Sequence, residues 1–134
     1  MTELAVGDVV AERSVHLTRA SLVRYAGASG DFNPIHYSDD IAVSVGLPGV
    51  LAHGMLTMGI AVGTLEDWLG DPARILEYGV RFTSPVLVDA VAGADVHVAA
   101  KVGAIDDDVA RIDLTVTAAG TTVLGKAQVR VRVA

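Results

Sequence analysis

The sequence predicts an α+β fold in which an antiparallel sheet curves around one long helix, on three observations. Helical spacing of apolar residues is confined to the first half of the chain, and strand alternation fills the second. The segment from Gly54 to Leu69 is apolar nearly all round until Glu66 and Asp67, so it needs cover on every side. A chain of 134 residues, 51% hydrophobic and 19% charged, buries one core, which reads as one domain over residues 1–134. Aromatics are 4%, so that core is built mainly from aliphatic residues and alanine.

Val9 to Leu17 alternates loosely and is the first expected strand. Thr18 is placed to cap a helix from about Arg19 to Ala28, with Leu22, Val23 and Ala26 on one face. Ser29 to Pro34 is dense in turn residues and stops that helix. Asp39 to Val45 is expected as a short helical turn, and Gly46-Leu47-Pro48-Gly49 as a loop. The long helix then runs from Gly54 to Leu69, with Gly70 as its C′ residue and Pro72 preventing continuation. The remainder reads as strands. Val96, Val98 and Val102 face away from Asp95, His97 and Lys101, while Ile112, Leu114 and Val116 alternate with Arg111, Asp113, Thr115 and Thr117. Val129, Val131 and Val133 alternate with Gln128, Arg130 and Arg132, and Asp106-Asp107-Asp108 and Ala119-Gly120 supply hairpin turns. The helix and the last valine row carry more apolar surface than one chain covers, so a dimer is expected.

Composition excludes several functions. Ten Lys+Arg against 16 Asp+Glu give a formal charge of −6, which offers nucleic acid no basic face. The absence of cysteine excludes disulfides, thiolate nucleophiles and Cys-ligated zinc. No Asp, Glu, Lys or Arg occurs from Ile41 to Leu65, but Gly46, Pro48, Gly49 and His53 interrupt that stretch. It reads as a loop and a core helix rather than a membrane span. Met1-Thr2-Glu3-Leu4 lacks the basic and apolar regions of a signal peptide, and a cytoplasmic location is expected.

The densest polar cluster runs from Tyr25 to His36. Pro34 fixes its own φ and pushes Asn33 to an extended conformation, so Asp31 and His36 flank a turn that can aim both into one small volume. A carboxylate and an imidazole so placed can hold one water and pass protons both ways. By spacing alone, Asp31 reads equally as a solvated cap and His36 as a structural histidine. A second feature is His53-Gly54-Met55 at the start of the long helix. Free amides and positive partial charge gather there, and a glycine lets a ligand oxygen approach the backbone, or simply lets the chain pack closely. His53 itself reads as structural. His16, His36, His53 and His97 show no H-x-x-x-H pairing, and neither G-x-G-x-x-G after a strand nor G-x-S-x-G occurs. Thr57 is expected to bond a backbone carbonyl one turn back. Arg74, Arg81, Lys101, Lys126, Arg130 and Arg132 are available for phosphate contacts and equally for ordinary surface roles.

Taken together, Tyr25-Ala26-Gly27-Ala28-Ser29-Gly30-Asp31-Phe32-Asn33-Pro34-Ile35-His36, then Ala42, then His53-Gly54-Met55, resemble the MaoC-like hydratase 2 family. The likeness continues through Arg81-Phe82-Thr83-Ser84-Pro85-Val86 and the terminal strands. Ala52 to Gly59 and Gly70-Asp71-Pro72 resemble the catalytic subunits of its actinobacterial (3R)-hydroxyacyl-carrier-protein dehydratases. The resemblance implies a dimeric hot-dog fold and reversible hydration of trans-2-enoyl thioesters to (R)-3-hydroxyacyl thioesters, without metal or cofactor. By position, it implies that Asp31 and His36 are the catalytic pair. The Gly54 amide would bind the thioester carbonyl, and Asn33 would brace the loop at the substrate site. It further implies an acyl-CoA or acyl-carrier-protein substrate, a role in fatty-acid or mycolic-acid elongation, and a homodimer or a heterodimer with a related hot-dog subunit. Two readings compete. A hot-dog thioesterase would keep a carboxylate mid-helix, and none occurs from Gly54 to Leu65; a non-catalytic acyl-binding partner would lack Asp31 or His36, and both are present.

Overall fold

Strand β1 (Val9–Leu17) leads directly into helix α1 (Arg19–Ser29), and Thr18 makes the junction. Its hydroxyl accepts from the Ser21 amide at 3.3 Å, and the Ser21 hydroxyl accepts from the Thr18 amide at 3.0 Å, a reciprocal cap. The computed structural model describes residues 3–133. Met1 and Thr2, which open the N-terminal stretch considered above, and Ala134, at the end of the expected domain, lie outside the described residues. Leu22 and Ala26 are buried, one helical turn apart, but Val23 is exposed. It lies about 100° around the helix from Leu22 and so leaves the face the core uses.

Helix α2 (Asp39–Ser44) follows, and then α3 (Gly54–Gly63) and α4 (Glu66–Leu69), where one unbroken helix is expected. The break has a local cause. The Leu65 amide bonds Val62 rather than the carbonyl four residues back, and the Thr64 hydroxyl donates to the Ile60 carbonyl at 3.2 Å. The tightened turn brings both Leu65 and Leu69 into the core, and Gly70, at φ +71°, ends α4. The chain then forms β2 (Ile75–Phe82), β3 (Ala94–Asp106), β4 (Val109–Ala118) and β5 (Thr121–Arg132).

The five strands pair antiparallel in the order β1-β3-β4-β5-β2. Alternation puts Val96, Val98, Ile112, Val116, Val129 and Val131 on the inner face, where they form one core with Ala61 and Leu65. This is the antiparallel sheet around a helix of the hot-dog fold. It corrects the expectation that the last valine row is exposed, since Val129 and Val131 are fully buried. The sheet does not enclose α3 on every side either: Gly54, Met55 and Gly59 remain exposed. The Tyr78 hydroxyl ties β2 to α3 by donating to the Met58 carbonyl at 2.7 Å, and burial pushes its pKa up to about 12. Among the described residues no helix is long and apolar enough to cross a membrane.

Candidate active site

Gly30 turns the chain out of α1 at φ +77°, its amide bonding the Ala26 carbonyl at 2.9 Å. Two short polar side chains then shape the loop. The Asp31 Oδ1 accepts from the Asn33 amide at 3.2 Å, and the Asn33 Oδ1 accepts from the Ile35 amide at 3.2 Å. Asn33 is extended (φ −57°, ψ 124°), as the following proline requires, and Pro34–His36 closes into one 3-10 turn. Asn33 therefore caps the backbone of this turn.

The turn delivers His36 inward and leaves Asp31 about half exposed, with His36 Nε2 3.9 Å from Asp31 Oδ2. That separation is too long for a direct hydrogen bond. The His36 Nδ1–H donates to the Leu51 carbonyl at 2.7 Å, and this bond selects the tautomer of the neutral ring, in which Nε2 carries the lone pair on the side of the carboxylate. Leu51 is held in turn by its own amide on the Ile35 carbonyl at 3.1 Å and by a bridge to Leu87.

His53 stands behind the pair. It is 1% exposed, and its ring stacks on that of His36 with centroids 3.8 Å apart and planes at 22°. Its Nε2–H donates to the Asp31 carbonyl at 3.1 Å, and Tyr25 packs on it at 4.7 Å. Asp31, His36 and His53 each place a possible ligand atom within 4.8 Å of the others, a grouping the sequence spacing does not announce. The lone pairs of an imidazole lie in its ring plane, so two stacked rings cannot aim both at one ion; His36 Nδ1 and His53 Nε2 are already given to carbonyls.

Gly54 is the first residue of α3, and His53 gives no side-chain cap, so the helix presents its first amides without intrahelical partners. A cavity of about 300 Å³ opens against Gly54 and His36, walled by Thr57, Phe82, Val86 and Leu124. A side chain at Gly54 would meet Phe82, since a Cβ there would lie 2.9 Å from Phe82 Cε1. Thr57 departs from expectation. It is buried and lines the cavity, and its hydroxyl makes no backbone bond among the described residues. Sequence spacing also misses Phe82, which reaches the site from a strand.

An ion pair anchors these elements. Arg19 Nη2 donates to Asp39 at 3.0 and 3.2 Å, Arg19 Nε to the Val88 carbonyl at 2.6 Å, and the Val50 amide to Asp39 at 3.1 Å. The Arg19 guanidinium and the Val50 amide hold the Asp39 carboxyl below its ordinary value. Of the cations offered for phosphate contacts, Arg74 instead donates to the Leu69 and Arg132 carbonyls. Arg81, Lys126 and Arg130 line a groove of about 260 Å³ on the outer sheet face with Arg111 and Glu77.

A family model described as a MaoC like domain matches residues 3–123. The 3-hydroxyacyl-thioester dehydratase X of Mycobacterium tuberculosis is 42% identical over 79 residues, which cover 59% of this chain and 27% of that protein. Among solved structures, a MaoC-like dehydratase superposes with a TM-score of 0.95 at 40% identity, over 98% of this chain and 41% of its own. The R-hydratase PhaJ1 from Pseudomonas aeruginosa has a TM-score of 0.81 at 28% identity, over 97% of this chain and 83% of its own. The chain therefore spans less than half the length of the first two.

Proposed function

The chain belongs to the MaoC-like domain family, and from that membership we propose that it catalyses reversible hydration of trans-2-enoyl thioesters to (R)-3-hydroxyacyl thioesters. The observation that carries this reading is the His36 tautomer. Its Nε2 lone pair faces the Asp31 carboxylate at 3.9 Å, beside an apolar cavity that Gly54 also lines. Two acceptors so spaced take the two hydrogens of one water. The pair removes one proton as the water oxygen bonds C3, and the C2–C3 π electrons move toward the carbonyl. The Gly54 amide, at the positive end of α3, receives the charge that gathers on the carbonyl oxygen. The same proton returns to C2, and dehydration runs these steps backward. The acyl chain lies along the wall of Phe82, Val86 and Leu124.

The thioester is carried by CoA or by a carrier protein, and the (R) hand follows from the family resemblance. A second hot-dog subunit, identical or related, completes the unit, and the setting is fatty-acid metabolism in the cytoplasm. Helix α3 carries no carboxylate, which supports hydration over thioester hydrolysis. Incubation with crotonyl-CoA, following enoyl absorbance beside a free-thiol assay, tests the reading. Loss of absorbance without thiol release is expected. Thiol release would mark a hydrolase, and neither change across short and long enoyl thioesters would mark a binding subunit.

A further inference from the structure

The two segments that carry the candidate chemistry brace each other through a pair of histidines. His36, on the loop, donates to the Leu51 carbonyl at 2.7 Å; His53, after Leu51, donates back to the Asp31 carbonyl at 3.1 Å. Between these bonds the two rings stack at 3.8 Å. The groups facing His36 are therefore Asp31 from its own loop and His53 from the start of α3, with Tyr25 of α1 packed on His53.

Another feature points the same way. The His53 Nδ1 is buried and has no hydrogen-bond partner among the described residues. An unpaired buried polar atom is destabilising, and a plain apolar ring would avoid it. What an apolar ring cannot supply is the N–H that reaches Asp31. Asp31 needs that anchor, since its carboxylate is about half exposed and its other bonds to protein stay within two residues along the chain.

We propose that His53 is a positioning residue. Its N–H fixes the Asp31 main chain and its ring face fixes the plane of His36, so that carboxylate and Nε2 converge on one water. This rests on the reading of Asp31 and His36 as the catalytic pair, and it assigns His53 no contact with substrate.

Three variants separate the two functions of the ring: His53→Phe keeps the stack and loses the donor, His53→Gln keeps a donor and loses the stack, and His53→Ala loses both. Each is read by thermal unfolding, by kcat and KM on an enoyl thioester, and by hydrogen exchange of the Asn33, Ile35 and His36 amides. His53→Phe is expected to fold with wild-type stability or better. Its kcat falls on the order of 10²-fold, the scale of a small misplacement of a reacting group, with KM unchanged and the three amides exchanging faster. His53→Gln restores slow exchange and part of kcat. Wild-type kcat and exchange in His53→Phe would overturn the proposal. Should that variant fail to fold, fast exchange in a folded His53→Gln would overturn it as well. Asp31→Asn is run alongside: if it turns over normally, the pair is misassigned, while the exchange measurement still decides the anchoring of the loop.

Discussion

The role proposed for His36 needs a lone pair aimed at the reacting proton, and one backbone carbonyl selects which nitrogen of the neutral ring carries it. In that reading, removing either partner removes the proton relay, while Asn33 and Pro34 still close the loop. Asp31→Asn and His36→Ala are each expected to lower kcat roughly 10²–10⁴-fold with circular dichroism unchanged. Turnover near wild type in either would remove that residue from the pair. Gly54 makes a different demand. A side chain there meets the ring of Phe82, which is exposed and able to swing aside, so Gly54→Val is expected to fold. The displaced ring and the new methyl groups then crowd the proposed carbonyl site, and turnover is expected to be abolished. A folded Gly54→Val enzyme with full activity would leave Gly54 a packing role alone. These residues are legible in sequence because one loop and one helix start carry them at fixed spacing. Thr57, Phe82 and the reciprocal bond of His53 are not, because each acquires its neighbour when segments distant in sequence meet.

At the scale of elements, the site is held by α1 and α2 gripping the segment that leads to His53. Asp39 accepts from Arg19 and from the Val50 amide, and its carboxyl is held below its ordinary value of 3.8. The sign follows from linkage: a carboxyl depressed by folding stabilises the native state above its unfolded pKa. That contribution is lost as pH falls through the folded value. Asp39→Asn should therefore lower the urea midpoint at about pH 7, and the gap to wild type should narrow below about pH 3.8. A gap that is equal at about pH 7 and at about pH 3 would show that the ion pair is not its source. The strands β3, β4 and β5 are legible because each keeps a run of alternation between an apolar and a polar face, over Val96 to Val102, Ala110 to Val116 and Ala127 to Val131. The bounds of β2 are not, since its register shifts between Ile75 and Glu77 and again between Gly79 and Arg81, breaking the alternation. The division of α3 from α4 is hidden for another reason. Thr64 and Leu65 are compatible with continuous helix, and neither residue type announces the tightened turn in which the Leu65 amide bonds the Val62 carbonyl.

Over the whole molecule, part of the exposed apolar surface lies along the β2 edge of the sheet: Met55, Leu76 and Phe82. Met55 is 58% exposed and Gly59 follows on the same side of α3, one turn along. Strand β2 runs beside them, with Tyr78 bonded to Met58 and Phe82 lying on Gly54. It is an edge strand, hydrogen-bonded to β5 on one side, and it exposes Leu76 and Phe82. The opposite edge of the sheet is β1. A second subunit set along β2 would continue the sheet, cover the open side of α3 and seal the cavity wall that Phe82 supplies. The active unit is therefore expected to be at least a dimer, with the chain alone or with a related subunit. Light scattering should give twice the chain mass for the homodimer. Met55→Glu, which puts a charge on the uncovered side of α3, should shift the protein toward monomer and lower activity together. If the wild-type chain is a fully active monomer, the open side of α3 has another role and the dimer is lost. If Met55→Glu remains a dimer of full activity, the partner lies elsewhere, and the edge of β1 becomes the place to look.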